Sequence, residues 1–168
     1  KAADQEPPAP DMLRFESKPD RAFAIGDLRA AVAPDARRAE RGVALLDRNR
    51  VLIQDELLTD QPVDVWWFMH TEAKVELDQS GTIATLQRGG KKLTAQIVLP
   101  TAARFAVMKA EPLPDSPHPP KQANNDRYRK LAIHLEGAKD LRLAVLFTPL
   151  TPATENATPS RIVPLADW

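Results

Sequence analysis

Three histidines, one tyrosine and three tryptophans are the side chains of this sequence best suited to acid–base work or to stacking on a ligand. His70, His118 and His134 are separated by tens of residues or by loop context, and His118 sits in a proline-rich stretch with no obvious companion. A zinc site needs three or four converging ligands with further groups to orient them, so no metal site is assigned. Tyr128 stands alone before the run LAIHL and is a poor candidate for a catalytic base. The sequence has no glycine-rich phosphate loop, no HExxH, no GxSxG and no carboxylates at calcium-loop spacing. We therefore assign no catalytic residue and no cofactor within this chain.

The segment VDVWWFMHTE is the most informative. Read as a strand, it puts Val63, Val65, Trp67 and Met69 on one face and Asp64, Trp66, Phe68, His70 and Glu72 on the other. The first set is core. The second carries Trp66, Phe68 and His70 in a row that is too apolar for an ordinary wet surface, which marks it as a contact patch. Three readings stand beside one another: a docking face for another domain or layer, a sugar-stacking wall in which Trp66 offers a flat apolar face and His70 a polar tip, or the seat of a second sheet. A one-residue change of register exchanges the two faces.

Cations gather at turn-like positions, as Arg37-Arg38, Arg41, Arg48, Arg50 and Lys91-Lys92. If the tip carrying Arg48 and Arg50 lies beside the Lys91-Lys92 turn, the resulting basic edge could hold sulfate or uronate groups. Solvated surface charge is the commoner outcome. His134 falls on the polar face of its strand, where it reads as solvated.

These side chains need elements to position them, and composition limits what those are. At 168 residues, the chain suits a single domain spanning 1–168 with its own core. Lysine plus arginine equals aspartate plus glutamate at 23 each, so no overall field attracts nucleic acid or anionic lipid. No run approaches the roughly 18 apolar residues of a spanning helix, so no membrane is expected as a partner. The absence of cysteine is neutral about the redox compartment. The start, residues 1–11, is polar and proline-rich, reads as flexible and resembles a cut made inside a longer protein.

Alternation of apolar and polar residues predicts an antiparallel β-sandwich of about nine or ten short strands. RGVALLD and RVLIQDELL flank a turn at 47–50; Gly81, the pair Gly89-Gly90 and the run 137–140 mark further turns, and RIVPL is a final short strand. Leu131, Ile133 and Leu135 should face the core opposite Lys130, His134 and Glu136, as should Leu143, Val145 and Phe147, and Leu93, Ala95, Ile97 and Leu99. Only Asp27 to Arg41 offers a helical turn, interrupted by Pro34. The five prolines of 111–127 exclude a central strand there, leaving a loop that covers a sheet edge or carries function. The stretch 151–160 is a second loop, and its Asn156-Ala157-Thr158 matches a glycosylation acceptor, a weak signal.

The succession FAIGDLRAAV, RGVALLDRNRVLIQDEL, VDVWWFMHTEAKVEL, IATLQRGGKKLTAQIVLP and PPKQANNDRYRKLAIHL resembles the C-terminal β-region of heparinase II/III-like polysaccharide lyases, from about Phe15 to Pro149. Its most telling pieces are Gly26-Asp27 before the first hairpin, Arg41-Gly42 opening it, Asp55-Glu56 ending it, and Trp67-Phe68-Met69-His70-Thr71-Glu72-Ala73. The resemblance implies a parent in which an α/α toroid joins a β-sandwich and cleaves uronic-acid-containing polysaccharides by β-elimination, in the periplasm or after secretion. Family catalytic residues and structural zinc ligands match no position here. The resemblance thus implies a non-catalytic domain whose partners are the missing N-terminal toroid and, as a second candidate, an acidic polysaccharide. A stand-alone carbohydrate-binding sandwich, or a protein-interaction domain of immunoglobulin type without paired cysteines, shares the same fold class.

Overall fold

The computed structural model describes residues 11–33, 35–114, 116, 124–151 and 161–168. In chain order the elements are β1 (Asp11–Ser17), β2 (Arg21–Asp27), α1 (Arg29–Val32), β3 (Arg38–Leu46), β4 (Arg50–Thr71), β5 (Lys74–Leu77), β6 (Ile83–Arg88), β7 (Lys91–Leu99), β8 (Phe105–Lys109), β9 (Arg129–Pro149) and a 3-10 turn at Leu165–Asp167. His118 and the Asn156-Ala157-Thr158 triplet lie outside the described residues.

The class is all-β, as the alternation predicts. Every strand pair is antiparallel, and the nine described strands form one hydrogen-bonded sheet in the order β1-β2-β3-β4-β9-β7-β6-β5, with β8 added to β9. The sheet becomes a sandwich by folding over on itself. β4 and β9, 22 and 21 residues long, run through both layers. In the first layer Val51–Leu58 pairs with Phe147–Asp140, and in the second Val63–Thr71 pairs with Ala138–Arg129. Between them the register slips at Leu58/Val63 and again at Val63/Val65. Gly137, at φ +65°, sits at this bend with nothing within 4 Å of where a Cβ would stand, so backbone conformation rather than crowding favours glycine there.

Side chains that alternate inward from both layers meet in the core. Trp67, Phe105, Leu131 and Ile133 of the second layer pack on Ala84, Ala95, Ile97, Leu143, Val145 and Phe147 of the first. Each fully buried aliphatic chain contributes about 1.5–3 kcal/mol. The opposite face of the first layer is covered by the C-terminal segment, whose Leu165 and Trp168 cluster with Phe23, Ile25, Ala44, Leu52 and Leu146.

Polar groups fix that strap. Glu56, 2% exposed, accepts from the Leu165 N–H at 3.0 Å, from Arg142 Nε at 2.7 Å and from Gln54 Nε2 at 3.0 Å, while Gln54 also donates to Val163 O at 2.9 Å. Burial works to raise the Glu56 pKa, but the hydrogen bonds from Arg142, Leu165 and Gln54 together outweigh it and hold the carboxyl below its ordinary value. Gly42 gives the strap room: a Cβ there would collide with the Leu165 side chain and lie 2.7 Å from the Trp168 ring.

Four local expectations are corrected. The strands are not all short, because each of the two long ones joins runs that the sequence pattern separates, and the turn expected at 137–140 is a bulge inside β9. RIVPL is not a strand; it runs into the 3-10 turn and serves as the strap. Leu99 follows a register shift after Ile97 and joins the strap-side cluster rather than the core. Lys130 keeps its expected place on the face opposite the core, where it is nonetheless only 4% exposed and its ammonium donates to Glu111 O at 2.6 Å.

Gly42→Val is expected to lift the strap and cost about 1–3 kcal/mol in urea unfolding, an overpacking penalty. Glu56→Gln should cost about 1–3 kcal/mol at neutral pH by leaving Arg142 without its charged partner. Since the folded carboxyl titrates below its ordinary value of 4.5, its stabilisation is present above that pH and lost as pH falls through the folded value. The gap between wild type and variant should therefore close on acidification below about 4.5.

Candidate functional site

The Trp66–Phe68–His70 stripe lies on the outer face of the second layer, where antiparallel pairing sets Trp66 opposite His134, Phe68 opposite Ala132 and His70 opposite Lys130. Strand alternation separates the two tryptophans correctly: Trp67 is 4% exposed and Trp66 36%. What it misses is His134. The imidazole lies parallel to the Trp66 ring, with centroids 3.9 Å apart and planes at 7°, and Phe68 stacks near Trp66 at 5.5 Å and 22°. Lys130 Nζ sits 4.4 Å from the centre of the Phe68 ring. These four side chains form one internally stacked row.

Stacking uses up surface. One face of Trp66 is covered by His134, so a sugar ring would have to approach the other face, beside Phe68, or the exposed edge. The row ends in acids: Asp64 lies 3.9 Å from His134 Nε2, and Glu72 pairs with Arg88 and, at 3.0 Å, with Arg127. His70 is exposed at the far end of the stripe.

The basic residues behave differently. Asp47 and Arg48 have φ of 51° and 53°, the left-handed pair expected of a tight hairpin turn. Arg48 is then tied to the β1–β2 turn, donating to Pro19 O at 2.8 Å and Lys18 O at 2.5 Å. Arg50 donates to Asp47 at 2.5 Å. Lys91 and Lys92 are exposed at the Gly89-Gly90 turn. Both tips share one end of the sheet, but β9 lies between them, since Val51 and Ala95 flank Phe147. Arg48 and Arg50 are engaged within the chain, and the two tips are not adjacent.

A cleft of about 780 Å³ opens between the layers where the sheet folds over. Its walls are Ala39, Leu57, Leu141 and Leu143 of the first layer, Val63, Val65 and Trp67 of the second, and the α1 region at one end. Carboxylates line it, with Arg41 the sole cation in its wall among the described residues. Asp55 is matched by a two-pronged bond from Arg41 at 2.6 and 2.9 Å, Glu56 by Arg142, and Asp60 by Arg37, while Asp35 and Glu40 add further negative charge. Arg41, Arg142 and Arg37 thus offset three of the cleft's carboxylates. Among the described residues no group of three His, Cys, Asp or Glu is placed to hold a metal.

Replacing Trp66 by Ala should cost only about 0.5–1.5 kcal/mol, the worth of an aromatic pair. Trp67→Ala should cost about 3–5 kcal/mol by opening a core cavity. Chemical denaturation of the two variants side by side checks the face assignment, and equal costs would overturn it.

No protein-family model matches the chain, and no curated protein matches it. Solved structures do. The crystal structure of heparan sulfate lyase HepC from Pedobacter heparinus is similar with a TM-score of 0.62 and 9% identity, over 83% of this chain and 21% of the lyase. A heparinase III crystal structure is similar with a TM-score of 0.62 and 10% identity, over 89% of this chain and 22% of that one. The chain therefore spans about a fifth of the length of the lyases it matches. The fold that the sequence resemblance implies is the fold observed: this chain has the architecture of a β-rich portion of the heparinase III structures.

Proposed function

We propose that the chain is the C-terminal β-sandwich of a polysaccharide lyase that acts on uronic-acid-containing polysaccharide in a periplasmic or secreted setting, and that it is itself non-catalytic and supports the catalytic toroid or the substrate cleft. The observation that carries this reading is the fold match, which takes in 83–89% of this chain yet only 21–22% of the lyases. In β-elimination a base removes the proton next to the uronate carboxyl, the bond from the β-carbon to the leaving oxygen breaks, a double bond forms and the oxygen takes up a proton. In our reading the groups for those steps lie in other parts of the parent lyase. The ring stacked on Trp66 supports a docking role over direct grip on a sugar chain.

A second reading, a stand-alone carbohydrate-binding sandwich, draws on the exposed part of Trp66. One cuvette experiment separates them: heparan sulfate and other uronic-acid polysaccharides are added to the chain while tryptophan fluorescence and the ultraviolet absorbance of unsaturated product are followed. Our reading expects neither product nor quenching. Product from this chain alone would overturn its non-catalytic assignment, and quenching without product would favour the binding module.

A further inference from the structure

The strap at 161–168 lies on the sheet without joining it. Each strand is fixed by a ladder of backbone bonds. Among the described residues, the strap's own backbone-to-backbone bonds stay within it, from the Asp167 N–H to Pro164 O at 2.9 Å and from the Trp168 N–H to Leu165 O at 3.2 Å. Its polar attachment to the sheet runs through sheet side chains. Gln54 donates to Val163 O at 2.9 Å, and Arg14 donates to Ala166 O at 3.0 Å and to Trp168 O. Leu165 and Trp168 are the buried anchors, set over Phe23, Ile25, Leu52 and Leu146. An element that shares no ladder with its neighbours opens at lower free energy than the strands it covers.

One attachment differs in kind, because it carries charge. Oε1 of the buried Glu56 accepts from the Leu165 N–H, from Arg142 Nε and from Gln54 Nε2 at once. The groups that face this carboxylate come from each element packed on it. β9 brings Arg142, with the exposed Asp140 two residues away; β3 brings Arg38, whose guanidinium lies 3.4 Å from Oε2, and the half-buried Glu40, which is opposite Glu56 in the register. β4 adds the neutral Gln54, and the strap adds the Leu165 N–H, its own Arg161 and Asp167 being exposed. A proton on Glu56 would remove the negative charge that two guanidiniums share and weaken the acceptor that holds Leu165.

We infer that Glu56 is an acid-sensitive latch: its protonation releases residues 161–168 from the sheet as a unit while the sandwich stays folded, uncovering Phe23, Ile25, Leu52 and Leu146 and freeing Trp168. The direction follows from linkage. The folded carboxyl titrates below its ordinary value of 4.5, so the latch holds fully above that pH and loosens as pH falls from there through the folded value. Below the folded value no further loosening is gained, since closed and open forms then bind the same proton.

Amide hydrogen exchange on the full chain, followed residue by residue from neutral pH down to about 3 and expressed as protection relative to each amide's intrinsic rate, tests the latch. Protection at Leu165, Asp167 and Trp168 should hold down to about 4.5 and then fall roughly tenfold or more, while amides of central β9 such as Val145 keep theirs. Glu56→Gln keeps the shape without the charge. Its strap amides should be roughly tenfold or more less protected than those of the wild type at neutral pH, with no further loss on acidification. Strap protection that is independent of pH overturns the inference, as does loss at the strap and at β9 together, which would make the strap part of the global fold. Wild-type strap protection in Glu56→Gln at neutral pH does the same. Should that variant not fold, the wild-type pH series decides alone.

Discussion

The hydrogen-bond ladder between β4 and β9 runs from Val51–Phe147 through the bend to Thr71–Arg129, so the strands that build one layer are covalently those that build the other. β9 is central twice, between β4 and β7 in the first layer and between β4 and β8 in the second. All other pairings attach to this spine. The two slips at the bend set the phase of everything beyond it, because one residue more or less would turn Trp67 outward and bring Trp66 into the core. The bulge at Gly137 is thus a register device as much as a bend.

The faces of the first layer are solved by different means. Its inner face is apolar and closed by a second layer over half its width. Its outer face carries a mixed surface in which Arg21 lies 4.9 Å over the Phe23 ring and 5.3 Å over Trp168, and in which the buried Glu56 gathers Arg142, Gln54 and the strap N–H. A buried carboxylate is tolerable only with such partners. The strap therefore docks by a directional polar centre ringed by aromatic contacts, whereas the layers meet by shape.

The strand content, the inward set Leu131, Ile133, Leu143, Val145 and Phe147, and the separation of Trp66 from Trp67 are legible in the sequence because period-two alternation is a local signal. The His134–Trp66 stack is not, since it depends on which distant strands pair and in what register. The fate of RIVPL is hidden for a related reason. Its apolar residues satisfy a strand pattern, yet they are held by Glu56 and Gln54, roughly a hundred residues away, whose burial no local window reveals. Arg48 can be read as a surface cation, but not as the brace of a left-handed turn onto Pro19 O.

The double centrality of β9 also constrains how the sheet can be acquired. Its pairing partners in β4 lie far upstream, and of the nine strands β9 is the last to leave a ribosome. Until it does, β1 to β4 form an open ribbon and β5 to β7 a separate one, with the apolar faces of both turned to solvent and neither layer in existence. Contacts of such long sequence separation carry a high loop-closure cost, and β9 meets it in both layers. What covers both faces is the insertion of a single strand into two layers at once.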